Sequence, residues 1–109
     1  MPFITIDEEN FDAVIAAEFE KGHTVVLKFG STFCDSCQIM ESELEEVHDR
    51  VTNISILDID SGMCGGLVER FMIEEVPTTL IFNDPSSQLL YKPGIMLADD
   101  IVNIILQER

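Results

Sequence analysis

Basic residues are the scarcest feature of this 109-residue chain: six Lys and Arg stand against 21 Asp and Glu, a formal charge of −15. The six (Lys21, Lys28, Arg50, Arg70, Lys92 and Arg109) are scattered, so no cationic patch exists for a nucleic-acid backbone or an anionic membrane surface. Neither is expected as a partner. Long apolar runs are absent too, and nothing approaches the roughly 18–20 residues that cross a bilayer. The first residues, Met1 to Asp7, lack the basic start and apolar stretch of a signal peptide. Cysteine occurs three times, too few for a secreted disulfide scaffold; that usage fits a reducing compartment, and the expected location is the cytoplasm. There is no repeat, linker or low-complexity tract, so residues 1–109 are read as one domain.

What is present is a core. Hydrophobic residues make up 46% of the chain, which excludes intrinsic disorder. Their spacing alternates between strand and helix. Phe3–Ile6 reads as a strand, and Asp7 offers an N-cap to a helix carrying Phe11, Val14, Ile15 and Phe19, stopped at Gly22. Thr24–Gly30 is apolar on both faces, the signature of a central strand. A helix follows from about Cys34, with Met40, Leu44, Val47 and Val51 inward and Glu41, Glu43, Glu45, Glu46 and Asp49 on a solvated face. Ile54–Ile59 is a buried-type strand. After glycines 62, 65 and 66 comes a helix through Leu67, Val68, Phe71 and Met72. Thr78–Phe82 and Gln88–Lys92 flank turn residues and form an antiparallel hairpin. A last helix, led by Asp99 and Asp100, turns Ile101, Ile104 and Ile105 inward. The order is βαβαβαββα, an α/β fold with a mixed central sheet and helices on both faces.

Cys34-Asp35-Ser36-Cys37 falls where the central strand hands over to a helix. Residues three apart in a first helical turn share a face, so two sulfurs there come within bonding reach. Free N–H groups and the helix dipole favour thiolate at the first of them. Such a dithiol can attack a disulfide with Cys34 and release the mixed disulfide with Cys37. Two other readings compete: a zinc half-site and a pair of inert buried thiols. Zinc is disfavoured by distance, since His48 lies eleven residues beyond Cys37 on the same helix, roughly 16 Å away. His23 and His48 are read as surface residues at element ends.

With Phe29, Phe33-Cys34-Asp35-Ser36-Cys37, Val76-Pro77-Thr78 and Lys92-Pro93-Gly94 at these spacings, the chain resembles the thioredoxin family over nearly its whole length. The resemblance implies a thioredoxin fold and a thiol–disulfide oxidoreductase that reduces protein disulfides. Cys34 would be the nucleophile and Cys37 the resolving cysteine. It also implies a cis Pro77, which sequence alone would assign to only about 5% of X–Pro bonds. Phe33, Val76, Pro77, Thr78, Pro93 and Gly94 would bind the substrate along a shallow apolar groove, with the Val76 backbone pairing with an extended segment. No cofactor or metal is implied. The partners would be disulfide-containing proteins and a thioredoxin-reductase-like electron donor, and a monomer is expected.

The departures carry expectations of their own. Asp35 and Ser36 replace the usual Gly-Pro, Phe33 the usual Trp, and Gln38 the usual Lys. Asp35 and the acids of the same helix disfavour thiolate at Cys34, so the couple should be reducing, with a redox tuning set by Asp35 and Ser36. Lys28 stands where the family has a buried Asp, whose usual Lys partner falls at about Ile56. An amine pointing under the active site would assist proton transfer; otherwise its stem packs along the sheet and its ammonium meets a carboxylate such as Asp58. Cys64, at the start of the third helix, is read as a spectator rather than a regulatory thiol. Met40, Met63, Met72 and Met96 are read as core or rim. The rival to the enzyme is a non-catalytic thioredoxin-like module that binds a partner or senses redox state.

Overall fold

Strand β2 (Thr24–Gly30) is buried at every position, and the rest of the molecule is arranged around it. The computed structural model describes residues 2–109; Met1, the first residue of the expected domain, lies outside them. In chain order the elements are β1 (Phe3–Ile6), α1 (Phe11–Glu20), β2, α2 (Asp35–Arg50), β3 (Ile54–Asp60), α3 (Gly65–Arg70), β4 (Thr78–Asp84), β5 (Ser87–Pro93) and α4 (Ala98–Gln107). The sheet runs β1-β3-β2-β4-β5. β1, β3 and β2 are parallel, β4 is antiparallel to β2, and β5 is antiparallel to β4, so β4 alone is reversed.

Because side chains alternate along a strand, β2 feeds two cores. Val26 joins Ile56 and Ile81 beneath Met40, Leu44 and Val47 of α2 and Ile101, Val102 and Ile105 of α4. Val25, Leu27 and Phe29 point the other way, onto Phe11 of α1 and Leu67 of α3. Each buried aliphatic or aromatic side chain contributes about 1.5–3 kcal/mol. Phe71 closes the second core edge-on, its ring centroid 5.7 Å from Phe11 and 6.0 Å from Phe29.

The element order expected from the sequence is the observed one, with local differences. Asp7 and Asn10 exchange side-chain-to-backbone hydrogen bonds of 2.7 and 2.9 Å, the reciprocal pattern of a capping box. Asp7 therefore caps a leading turn, and α1 itself starts one turn later with Asn10 at its N-cap. Helix α3 ends at Arg70, so Phe71 and Met72 lie beyond it. Met72 takes a left-handed φ of 55° and is 76% exposed, and Met63 is 80% exposed, so neither belongs to the core or its rim. In α4, Val102 is buried and Ile104 only half-buried. His23 is half-buried, its Nδ1 2.9 Å from the Ser55 hydroxyl, which in turn donates to buried Glu18.

Candidate active site

Chain geometry at the end of β2 decides where the cysteines go. After Gly30 three residues lead to Cys34, which is extended (φ −143°, ψ 104°) and serves as the N-cap of α2. Its Sγ accepts the Cys37 backbone N–H at 3.2 Å, one of the otherwise unpaired donors of a helix start. Cys34 and Cys37 are bonded as a disulfide with Cα atoms 5.2 Å apart, inside the ordinary range. The pair is asymmetric. Cys37 is 2% exposed and turned into the protein, whereas Cys34 is partly open.

Three further segments meet the disulfide. The Val76–Pro77 peptide is cis, and the Val76 carbonyl oxygen lies 3.9 Å from Cys34 Sγ. Pro77 itself is buried and Val76 half-buried. Gly94, whose φ of 81° suits glycine, donates its N–H to the Pro77 carbonyl at 2.7 Å, and so ties the loop after β5 to the start of β4. Thr78 is buried; its hydroxyl donates to the Glu75 carbonyl at 2.6 Å and braces the turn that presents Val76. Phe33, next to the outer cysteine, is 99% exposed, and Pro93 is exposed at the end of β5. Ser36 Oγ lies 3.6 Å from Cys34 Sγ, and Asp35 is exposed in the first turn.

Lys28 combines the two placements considered from sequence. It is buried, and its ammonium donates to Asp58 Oδ1 at 2.9 Å. Yet a Cβ built on Gly30 would lie 3.4 Å from Lys28 Nζ and 3.6 Å from Cys37 Sγ, so amine and inner sulfur flank the same glycine. Glu41, read from sequence as part of the solvated face of α2, is a second carboxylate partner at 3.7 Å. Its position one turn after Cys37 was the signal for this role, because residues four apart share a helix face. Cys64 packs in the core against α1 and α3 with its sulfur 3.8 Å from the Ile6 carbonyl. Burial, then the nearby Glu8, Asp60 and Asp7 carboxylates, push its thiol pKa up. Among the described residues no group of three or more His, Cys, Asp or Glu side chains is gathered as metal ligands would be.

A sheet ordered 1-3-2-4-5 with one reversed strand, helices on both faces and bonded cysteines at the β2–α2 junction belongs to the thioredoxin-fold class. The thioredoxin family model matches residues 2–107. The chain belongs to the thioredoxin family. It is 33% identical over 61 residues to chloroplastic thioredoxin Y2 of Arabidopsis thaliana, a match covering 55% of this chain and 36% of that protein. Chloroplastic thioredoxin Y of Oryza sativa subsp. japonica matches to the same extent. In both cases the match spans little more than a third of the relative's length. The crystal structure of chloroplastic thioredoxin z superposes with a TM-score of 0.84 at 25% identity, over 98% of this chain and 94% of that one. Thioredoxin NaTrxh from Nicotiana alata shares the fold, with a TM-score of 0.84 at 18% identity over 99% and 93%.

Proposed function

We propose that the protein is a thiol–disulfide oxidoreductase that reduces protein disulfides by dithiol exchange. The observation that carries this reading is the bonded pair with one open and one shielded sulfur beside the Val76 carbonyl. In the reduced state Cys34 thiolate attacks a substrate disulfide. A Cys34–substrate bond forms, the substrate S–S bond breaks, and the first substrate sulfur leaves as a thiolate that takes a proton from water. Cys37 then attacks Cys34 Sγ, forms the disulfide present in this structure, and releases the second substrate thiol. Two electrons pass from the protein to the substrate.

The substrate is an extended segment. It pairs with the Val76 backbone and lies between exposed Phe33 and the Pro93–Gly94 corner, with Pro77 and Thr78 holding the strand start in place. Acidic surroundings at Asp35 keep the Cys34 thiolate less favoured than in a strongly oxidising relative, so the couple runs in the reducing direction. A thioredoxin-reductase-like donor would return the electrons, in a reducing compartment such as the cytosol.

Insulin reduction tests the reading. The wild type should accelerate precipitation of the insulin B chain in the presence of a dithiol, and Cys34→Ser should abolish the acceleration. A wild type no faster than the dithiol alone would leave a partner-binding or redox-sensing module as the function.

A further inference from the structure

On the sheet face beneath α2 and α4, two rows of cross-strand neighbours lie two residues apart and differ in kind. Phe3, Ile56, Val26, Ile81 and Leu90 form an apolar row. The next is polar from edge to edge: Thr5, Asp58, Lys28, Thr79 and Lys92. Its centre is deeply buried, Lys28 at 4% and Thr79 at 0% exposure, and the Thr79 hydroxyl has no hydrogen-bond partner among the described residues. A buried ion pair is weak grounds for stability, since apolar residues of similar volume serve as well or better. Stability alone therefore gives no reason for a lysine here.

Its surroundings do. On the outer side Lys28 Nζ meets Asp58 and Glu41, whose side chains are more than a third exposed, and the Phe3 ring lies 5.7 Å away. Lys28, Gly30, Thr32, Glu41, Asp58 and Asp60 line a cavity of about 290 Å³ behind the active-site loop. On the inner side the ammonium and Cys37 Sγ both border Gly30, 3.4 and 3.6 Å from where its Cβ would lie. The two carboxylates meet the ammonium from the wetter side, where water screens them, and the sulfur of buried Cys37 lies on its inner side.

We propose that Lys28 is a positioning residue for the resolving step: its ammonium favours the Cys37 thiolate, and the cavity carries the Cys37 proton to solvent. This rests on the oxidoreductase reading above. Cys37 first gives its proton to water in the cavity. The thiolate then attacks Cys34 Sγ of the mixed disulfide, the Cys37–Cys34 bond forms, and the Cys34–substrate bond breaks. The electron pair leaves on the substrate thiolate, which takes a proton from solvent. Lys28 is no proton donor or acceptor in these steps, and Asp58, Glu41 and Asp60 are the carboxylates that share the cavity with it.

The test follows both steps in one experiment. Reduced full-length protein is mixed with insulin, acid-quenched at intervals, and the mixed disulfide is quantified by intact mass. In Lys28→Met the adduct should accumulate because resolution slows about tenfold near pH 7, the effect of removing a nearby cation worth about one pKa unit. The deficit should close as pH rises and Cys37 ionises unaided, and Lys28→Arg should restore most of the rate. Resolution unchanged in Lys28→Met, or slowed by one factor at every pH, overturns the proposal. If Lys28→Met does not fold, Lys28→Gln decides. It keeps a polar group opposite Asp58 and removes the charge, so it should reproduce the pH-dependent slowing, and an unaltered profile overturns the proposal. A wild type that forms no adduct at all contradicts the oxidoreductase reading instead.

Discussion

Replacing Asp35 by Asn removes one negative charge from the residue that follows the outer cysteine and opens α2, and it should lower both the Cys34 thiol pKa and the folding stability. The carboxylate is exposed, so its field reaches the Cys34 sulfur through mostly aqueous surroundings. Between neighbouring residues in largely aqueous surroundings, a unit charge is worth about 1 kcal/mol. That is about half to one unit in the Cys34 thiol pKa, downward in the variant. The same carboxylate interacts favourably with the N-terminal end of the helix dipole, so its loss should lower folding stability by about 0.3–1 kcal/mol. Iodoacetamide alkylation of the reduced protein across pH reads the first effect and urea unfolding the second. Above the alkylation midpoint, where thiolate is populated, equilibration with glutathione should show a reduction potential higher by up to about 30 mV. Raising the salt should shrink the pKa effect. An alkylation midpoint that stays put or rises in Asp35→Asn would refute the argument that acidic charge disfavours thiolate at this site.

Three further outcomes follow from the packing. Cys34 is the partly open thiol and Cys64 is buried with its pKa raised, so the reduced native protein should take up one equivalent of a thiol reagent quickly, mapped to Cys34, and label Cys64 only on unfolding; fast label on Cys64 would mean that thiol is reactive after all. Glu18 lies below its ordinary value of 4.5, chiefly because the Lys21 ammonium and then the Ser55 hydroxyl donate to it, with burial opposing. The folded form thus binds that proton less tightly than the unfolded chain. The stabilisation is full above the unfolded value and is lost as pH falls through the folded one. Urea midpoints from pH 7 down to pH 3 should show the wild type's advantage over Glu18→Gln shrinking with acid; an advantage that grows contradicts the sign. Phe29→Ala empties a fully buried site beside Phe71 and should cost about 3–5 kcal/mol in urea unfolding, and a loss under about 1 kcal/mol would mean the cavity collapses.

Period and punctuation were enough to read most of the fold. An apolar run such as Thr24–Gly30 can satisfy both faces only at the centre of a sheet, and Gly22 ends α1 with the positive φ the sequence invites. What escaped depends on contacts distant in sequence. Asp7 and Asn10 are both good capping residues, and only the reciprocal bond between them shows that one caps a turn and the other the helix. Buried Glu18 looks like surface in a helical pattern, because the Ser55 that satisfies it comes from another strand 37 residues away. Met72 follows the period of α3, but the helix ends at Arg70 and the left-handed residue turns out to solvent, where the Tyr91 hydroxyl donates to its carbonyl. At the site, the three-residue spacing located the sulfurs. The Gly94–Pro77 bond and the pairing of Lys28 with both Asp58 and Glu41 needed the register of the sheet and the docking of α2 upon it.

The most direct test of the central claim is to trap the covalent intermediate. Cys37→Ser, reduced and mixed with insulin, should hold a stable mixed disulfide, and peptide mapping should place the insulin chain on Cys34. A mixed disulfide mapped to Cys64, or no adduct under conditions in which the free dithiol reacts with insulin, would contradict the account.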